Sequence, residues 1–98
     1  MTIEVRRTFH TNGRVKREFH LNSQGQKHGM DKCWRVDGNV LCEISYRYDL
    51  THGMVKWFYR NGQPENEASW HEGKLHGISK GWNDKGSLLR IGYHRLRR

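Results

Sequence analysis

The residues of this chain with chemistry to offer are seven histidines, two cysteines and a recurring glutamate. Histidines are the natural metal ligands and proton carriers near neutral pH. Three of them, His28, His52 and His76, each precede a glycine and are spaced 24 residues apart. That even spacing argues against a metal centre. If each His-Gly begins an equivalent unit two strands from the next, neighbouring imidazoles stand roughly 10 Å apart. Zinc needs every ligand nitrogen about 2.0–2.1 Å from one ion. Glu18, Glu43 and Glu67 form a second wide column, suited to cross-strand charge pairing rather than to a close carboxylate pair. No glycine loop cradles a phosphate, and no Ser-His-Asp or Cys-His arrangement has motif support. No catalytic residue, metal or cofactor is expected. The histidines mark a repeating turn.

The repeat itself carries the fold. The phrase 52–62, HGMVKWFYRNG, has counterparts at 28–38, HGMDKCWRVDG, and at 76–86, HGISKGWNDKG. A fainter copy ends in Phe9-His10-Thr11-Asn12-Gly13. A period of 24 belongs to stacked units that bury surface against their neighbours. Each unit reads as a β-hairpin, since apolar residues alternate on either side of an Asn-Gly or Asp-Gly signal. The expected copies are residues 3–25, 26–49, 50–73 and 74–96 of a single domain, with loops at 22–27, 47–51 and 71–75.

Parity selects the turn. Met30 and Trp34 precede Gly38 by eight and four residues, while Val40, Ile44 and Tyr46 follow it by two, six and eight. A two-residue turn would put these sets on opposite faces, whereas a three-residue loop ending in a left-handed glycine puts them together. Val36-Asp37-Gly38 and Arg60-Asn61-Gly62 are therefore expected as such loops. On strict alternation, Cys33 and Cys42 then fall on opposite faces and cannot meet, leaving two free thiols. The whole is expected to be all-β: one elongated, twisted antiparallel sheet of about four tandem hairpins, about 40 Å across. Phe9, Trp34, Phe58 and Trp82 should form a ladder on one face, with Arg7, Lys32, Lys56 and Lys80 sharing their parity.

The succession of His-Gly, an aromatic, Asn/Asp-Gly, Glu, an aromatic and Gly-Lys resembles the MORN repeat variant of YwqK-type antitoxin proteins. Residues 24–94 carry the resemblance, and residues 5–21 carry it faintly. It implies a non-enzymatic scaffold that binds other molecules, with toxin neutralisation, protein contacts, self-association and acidic phospholipids among the family's associations. Departures include Asp49-Leu50-Thr51 where the third copy has Gly73-Lys74-Leu75, and Ile91 where a glutamate is expected.

Composition narrows the partners. Eighteen Lys and Arg against ten Asp and Glu give a net charge of +8, which favours an acidic partner. No run is long and apolar enough for a membrane-spanning helix, and residues 1–4 lack a signal peptide's apolar stretch, so a cytoplasmic protein is expected. Trp57 and Tyr59, with Arg35 and Arg60, are the mixture of rigid aromatics and arginines that anchors protein interfaces. They are the expected contact residues for a partner protein that the chain would occlude. The alternative is a basic binder of nucleic acid or anionic lipid through Arg7, Lys32, Lys56, Lys80, Arg95, Arg97 and Arg98. A single-layer sheet also leaves an apolar face that can curl, receive a partner or pair with a second copy.

Overall fold

The computed structural model describes residues 4–95. Eight strands run in order through one antiparallel meander: β1 Glu4–Phe9, β2 Val15–Leu21, β3 Gly29–Trp34, β4 Val40–Arg47, β5 Leu50–Phe58, β6 Pro64–His71, β7 Lys74–Trp82 and β8 Leu88–His94. The sheet is a slab of 38 × 35 × 15 Å, one layer thick. No helix among the described residues is long and apolar enough to cross a membrane.

The hairpin tips are the expected three-residue loops. Arg35 N–H donates to Asn39 O at 2.7 Å, and Gly38 N–H donates to Arg35 O at 2.9 Å. Gly38 takes φ +94°, the left-handed region where a side chain is strained. The same pair of bonds closes the tips at His10, Tyr59 and Asn83. Asn12, Asp37 and Asn61 fold their side-chain oxygens onto the N–H two residues ahead, which makes each tip self-supporting.

A second irregularity follows each tip, and it overturns the simple parity reading. Trp34 faces Val40, yet Cys33 faces Cys42, so Leu41 is an extra residue on β4. Lys16, Glu65 and Leu89 are extra at the equivalent point of the other hairpins. One inserted residue flips everything beyond it to the other side of the sheet. Ile44 and Tyr46 therefore leave the face of Met30 and Trp34, contrary to expectation. Cys33 and Cys42 become direct partners instead of lying on opposite faces.

Two of the three links between hairpins are shorter than expected, while the first, between β2 and β3, remains a longer loop closed by the Leu21–Lys27 bridge. Tyr48-Asp49 and Glu72-Gly73 are two-residue turns with positive φ at both positions, between Arg47 and Leu50 and between His71 and Lys74. Here the His-Gly phrase finds its purpose. Gly53 sits at φ +102° with Ser45 pressed so close that an added Cβ would lie 3.1 Å from Ser45 Oγ. His52 Nδ1 accepts the Glu72 N–H of the next turn at 3.3 Å, and His28 Nδ1 accepts that of Tyr48 at 3.4 Å. Each histidine thus braces the following link.

Candidate binding surfaces

The direct pairings line up three bands across the first face. The middle band reads Arg7, Glu18, Lys32, Glu43, Lys56, Glu67, Lys80, Ile91, one residue per strand from β1 to β8. Charges alternate at every step until Ile91. Arg7 reaches Glu18 at 2.6 Å and Lys32 reaches Glu43 at 3.3 Å. The Lys32 ammonium also lies 5.5 Å from the centre of the Trp34 ring. The basic column Arg7, Lys32, Lys56 and Lys80 is therefore interleaved with carboxylates, and over the band four cations meet three anions.

On the tip side of this band lie Phe9 with Val15, Trp34 with Val40, Phe58 with Pro64 and Trp82 with Leu88. The aromatic ladder is in place. On the link side lie Val5 with His20, Met30 with Ser45, Met54 with Ser69 and Ile78 with Tyr93. Val5, Phe9, Met30, Met54, Ile78, Leu88, Ile91 and Tyr93 all stand exposed on this one face.

The second face holds the buried residues. Leu21, Asp31, Cys42 and Val55 are the most enclosed side chains, and Asp31 is 3% exposed. A buried carboxylate requires a partner. Arg17 supplies it through two bonds, Nε to Oδ1 at 3.0 Å and Nη2 to Oδ2 at 2.6 Å, while its guanidinium lies 4.4 Å from the Phe19 ring centre. The hydrogen bonds that Arg17 donates to Asp31 raise the Arg17 pKa further. Burial pushes the Cys42 thiol up to about 12, with the neighbouring Cys33 adding to the effect. Burial also raises the Tyr46 phenol. Beside this cluster a groove of about 510 Å³ opens, lined by Thr8, Phe9, His10, Lys16, Arg17, Cys33, Trp34, Arg35 and Leu41.

The four expected contact residues separate. Trp57 opposes Cys42 and Asn66 on the second face and is 37% exposed. Arg60 is exposed in its tip loop. Arg35 and Tyr59 are half-buried and tie successive hairpins together. Arg35 Nη2 donates to Phe58 O at 2.9 Å, and the Tyr59 hydroxyl donates to Trp82 O at 2.6 Å. His10 does the same for Trp34 O at 2.9 Å. These three residues each follow the ladder aromatic of their own copy and grip the backbone of the aromatic in the next. A shallow hollow of about 380 Å³ between two tips is lined by Tyr59, Arg60, Asn61 and Asp84. Arg95 is exposed, while Arg97 and Arg98 lie outside the described residues.

Cross-strand charge pairing was expected of Glu18, Glu43 and Glu67, but their partners, the basic column, were not identified from the sequence, although the signal was present. In the first three copies a cation six residues before the tip glycine and a glutamate five residues after it become partners only if one extra residue intervenes. The histidines gather more closely than the column suggested, through His71: its ring centre is 4.9 Å from that of His52 and 6.1 Å from that of His76. Among the described residues, no group of three His, Cys, Asp or Glu side chains could hold a metal ion.

Comparison with curated proteins and with solved structures returns no match. Residues 51–72, which begin just before the second His-Gly and run through β6 into the following turn, match the MORN repeat variant, in general a non-catalytic repeat module.

Proposed function

We propose that the chain is a non-enzymatic protein-interaction module that binds and occludes a partner protein through its first face. One observation carries this reading: the large apolar side chains exposed there flank a band of paired charges on a single flat surface. Monomeric proteins rarely leave more than a few hundred Å² of contiguous apolar surface wet, and larger patches mark interaction sites. An antitoxin-, immunity- or inhibitor-like role fits such a surface, because covering a partner's working face requires area and no chemistry. Trp57 on the other face and Arg60 in its tip loop are exposed and offer separate, smaller contact points, while Arg35 and Tyr59 are half-buried. The net charge of +8 favours an acidic partner.

The test begins with copurification from the native cell and mass spectrometry to identify the partner. The purified pair is then titrated with a variant carrying Met30→Asp, Met54→Asp and Ile78→Asp, and separately with Trp57→Ala. The triple variant is expected to weaken binding at least tenfold while keeping its β-sheet circular dichroism. Unchanged affinity would remove the first face as the contact surface.

The net positive charge also supports a second reading, a binder of nucleic acid or anionic phospholipid. The alternating band argues against a continuous cationic track, since each lysine stands beside a glutamate. Titration with duplex DNA, single-stranded DNA and acidic vesicles at low and moderate salt separates the two, because phosphate binding has a steep salt slope. Light scattering at two concentrations reports self-association.

A further inference from the structure

Cys33 on β3 stands directly opposite Cys42 on β4. Opposed residues on antiparallel strands have Cα atoms about 4.5–5.5 Å apart, within the roughly 4.4–6.8 Å that a disulfide bridges. The two thiols differ in access. Cys42 is 2% exposed, whereas Cys33 is half-buried and forms part of the wall of the 510 Å³ groove. Lys16, Arg17 and Arg35 line that groove with it, and no carboxylate does so among the described residues. Arg35 Nε is buried there without a hydrogen-bond partner among the described residues. An open thiol, a hidden thiol behind it and a cationic mouth occur together at one place.

We propose that Cys33 and Cys42 are a redox-responsive dithiol, closed into a cross-strand disulfide by an anionic low-molecular-weight disulfide of the glutathione type. The Cys33 thiol gives up its proton and its sulfur attacks one sulfur of glutathione disulfide. That S–S bond breaks, and one glutathione leaves as a thiolate that takes up the proton. Cys42 then loses its proton and attacks Cys33 Sγ, expelling the second glutathione, which is protonated in turn. Two protein thiols are oxidised by two electrons, and one glutathione disulfide becomes two glutathione thiols. Burial makes the Cys42 thiolate rare and the second step slow. The product disulfide is neutral, so the same burial does not oppose it. Lys16 and Arg35 would attract the carboxylates of the incoming disulfide.

The reduced full chain is incubated with glutathione disulfide, quenched with N-ethylmaleimide and weighed intact. Wild type is expected to lose both alkylation sites within one chain and to retain no glutathione. Cys42→Ser should stop with one glutathione on Cys33, and Cys33→Ser should leave Cys42 unmodified while folded. Lys16→Glu, an exposed bulge position, should slow the reaction with glutathione disulfide several-fold but not that with neutral hydroxyethyl disulfide. Wild type that keeps both thiols alkylatable, retains glutathione or crosslinks between chains overturns the dithiol. Equal slowing of both oxidants by Lys16→Glu, or slowing of neither, overturns the role of the groove. The wild-type measurement decides the first point even if a cysteine variant fails to fold.

Discussion

Replacing Asp31 with asparagine should cost more stability than any change on the first face. Asp31 is the buried charge of the second face, and its two carboxylate oxygens are each held by Arg17. Removing one member of a buried pair typically costs about 3–5 kcal/mol, because the other charge is stranded. The Arg17 side chain is 34% exposed and can recover part of its hydration. That lowers the expectation to about 2–3 kcal/mol, since an exposed partner is screened by solvent. For a domain with roughly 0.05–0.15 kcal/mol of stability per residue, this is a large part of the total. Urea unfolding followed by tryptophan fluorescence measures it, with Asp31→Leu, Arg17→Met and the double variant Arg17→Met/Asp31→Leu completing a cycle. The double variant should be more stable than Asp31→Asn, because no charge is left behind. A loss below about 0.5 kcal/mol for Asp31→Asn, or a double variant less stable than either single, would refute the assignment of this pair as a buried, mutually dependent unit.

Stability should also depend on alkaline pH. Cys42 has its pKa raised from 9.0 to about 12 in the folded chain and Tyr46 has its raised above 10.0, so the folded state holds protons that the unfolded state releases. Their contribution is complete below pH 9 and declines as pH rises towards 12, with Cys42 adding a slope of at most about 1.4 kcal/mol per pH unit. Denaturant midpoints between pH 8 and 11 should fall, and Cys42→Ala should flatten the fall; an unchanged slope would contradict the burial of that thiol. Gly53→Ala meets both a φ of +102° and Ser45 Oγ at 3.1 Å, and is expected to cost about 1–3 kcal/mol in urea unfolding. Gly62→Ala, at φ +90° with nothing within 4 Å, should cost less, and the reverse order would count against the close packing at Gly53. Tyr59→Phe removes the 2.6 Å bond to Trp82 O and should cost about 0.5–1.5 kcal/mol while leaving partner affinity nearly unchanged. A large loss of binding with stability intact would instead make its hydroxyl a contact group.

The architecture was legible in the order of residues because its causes are local. A period of 24, an Asx-Gly signal in three of the four copies and two-fold alternation are enough to specify hairpins in tandem. The left-handed glycine at each tip follows from the same local rule. Chain order alone could not place residues beyond the tips. Strict alternation put Ile44 and Tyr46 beside Met30 and Trp34, and separated Cys33 from Cys42. The extra residue at Leu41 reverses all of these placements, and its equivalents at Lys16, Glu65 and Leu89 do the same in every copy. Bulges of this kind arise from the fit between two strands, so neither strand announces one by itself. Arg35 and Tyr59 show the same limit: as residue types they suit an interface, but each instead spends its polar end on a backbone carbonyl of the next hairpin. Sequence alone determined that the chain is a row of hairpins with aromatic ladders. Only the assembled sheet decided which residues meet, because strand register sets the face of every side chain, and one inserted residue exchanges the two faces.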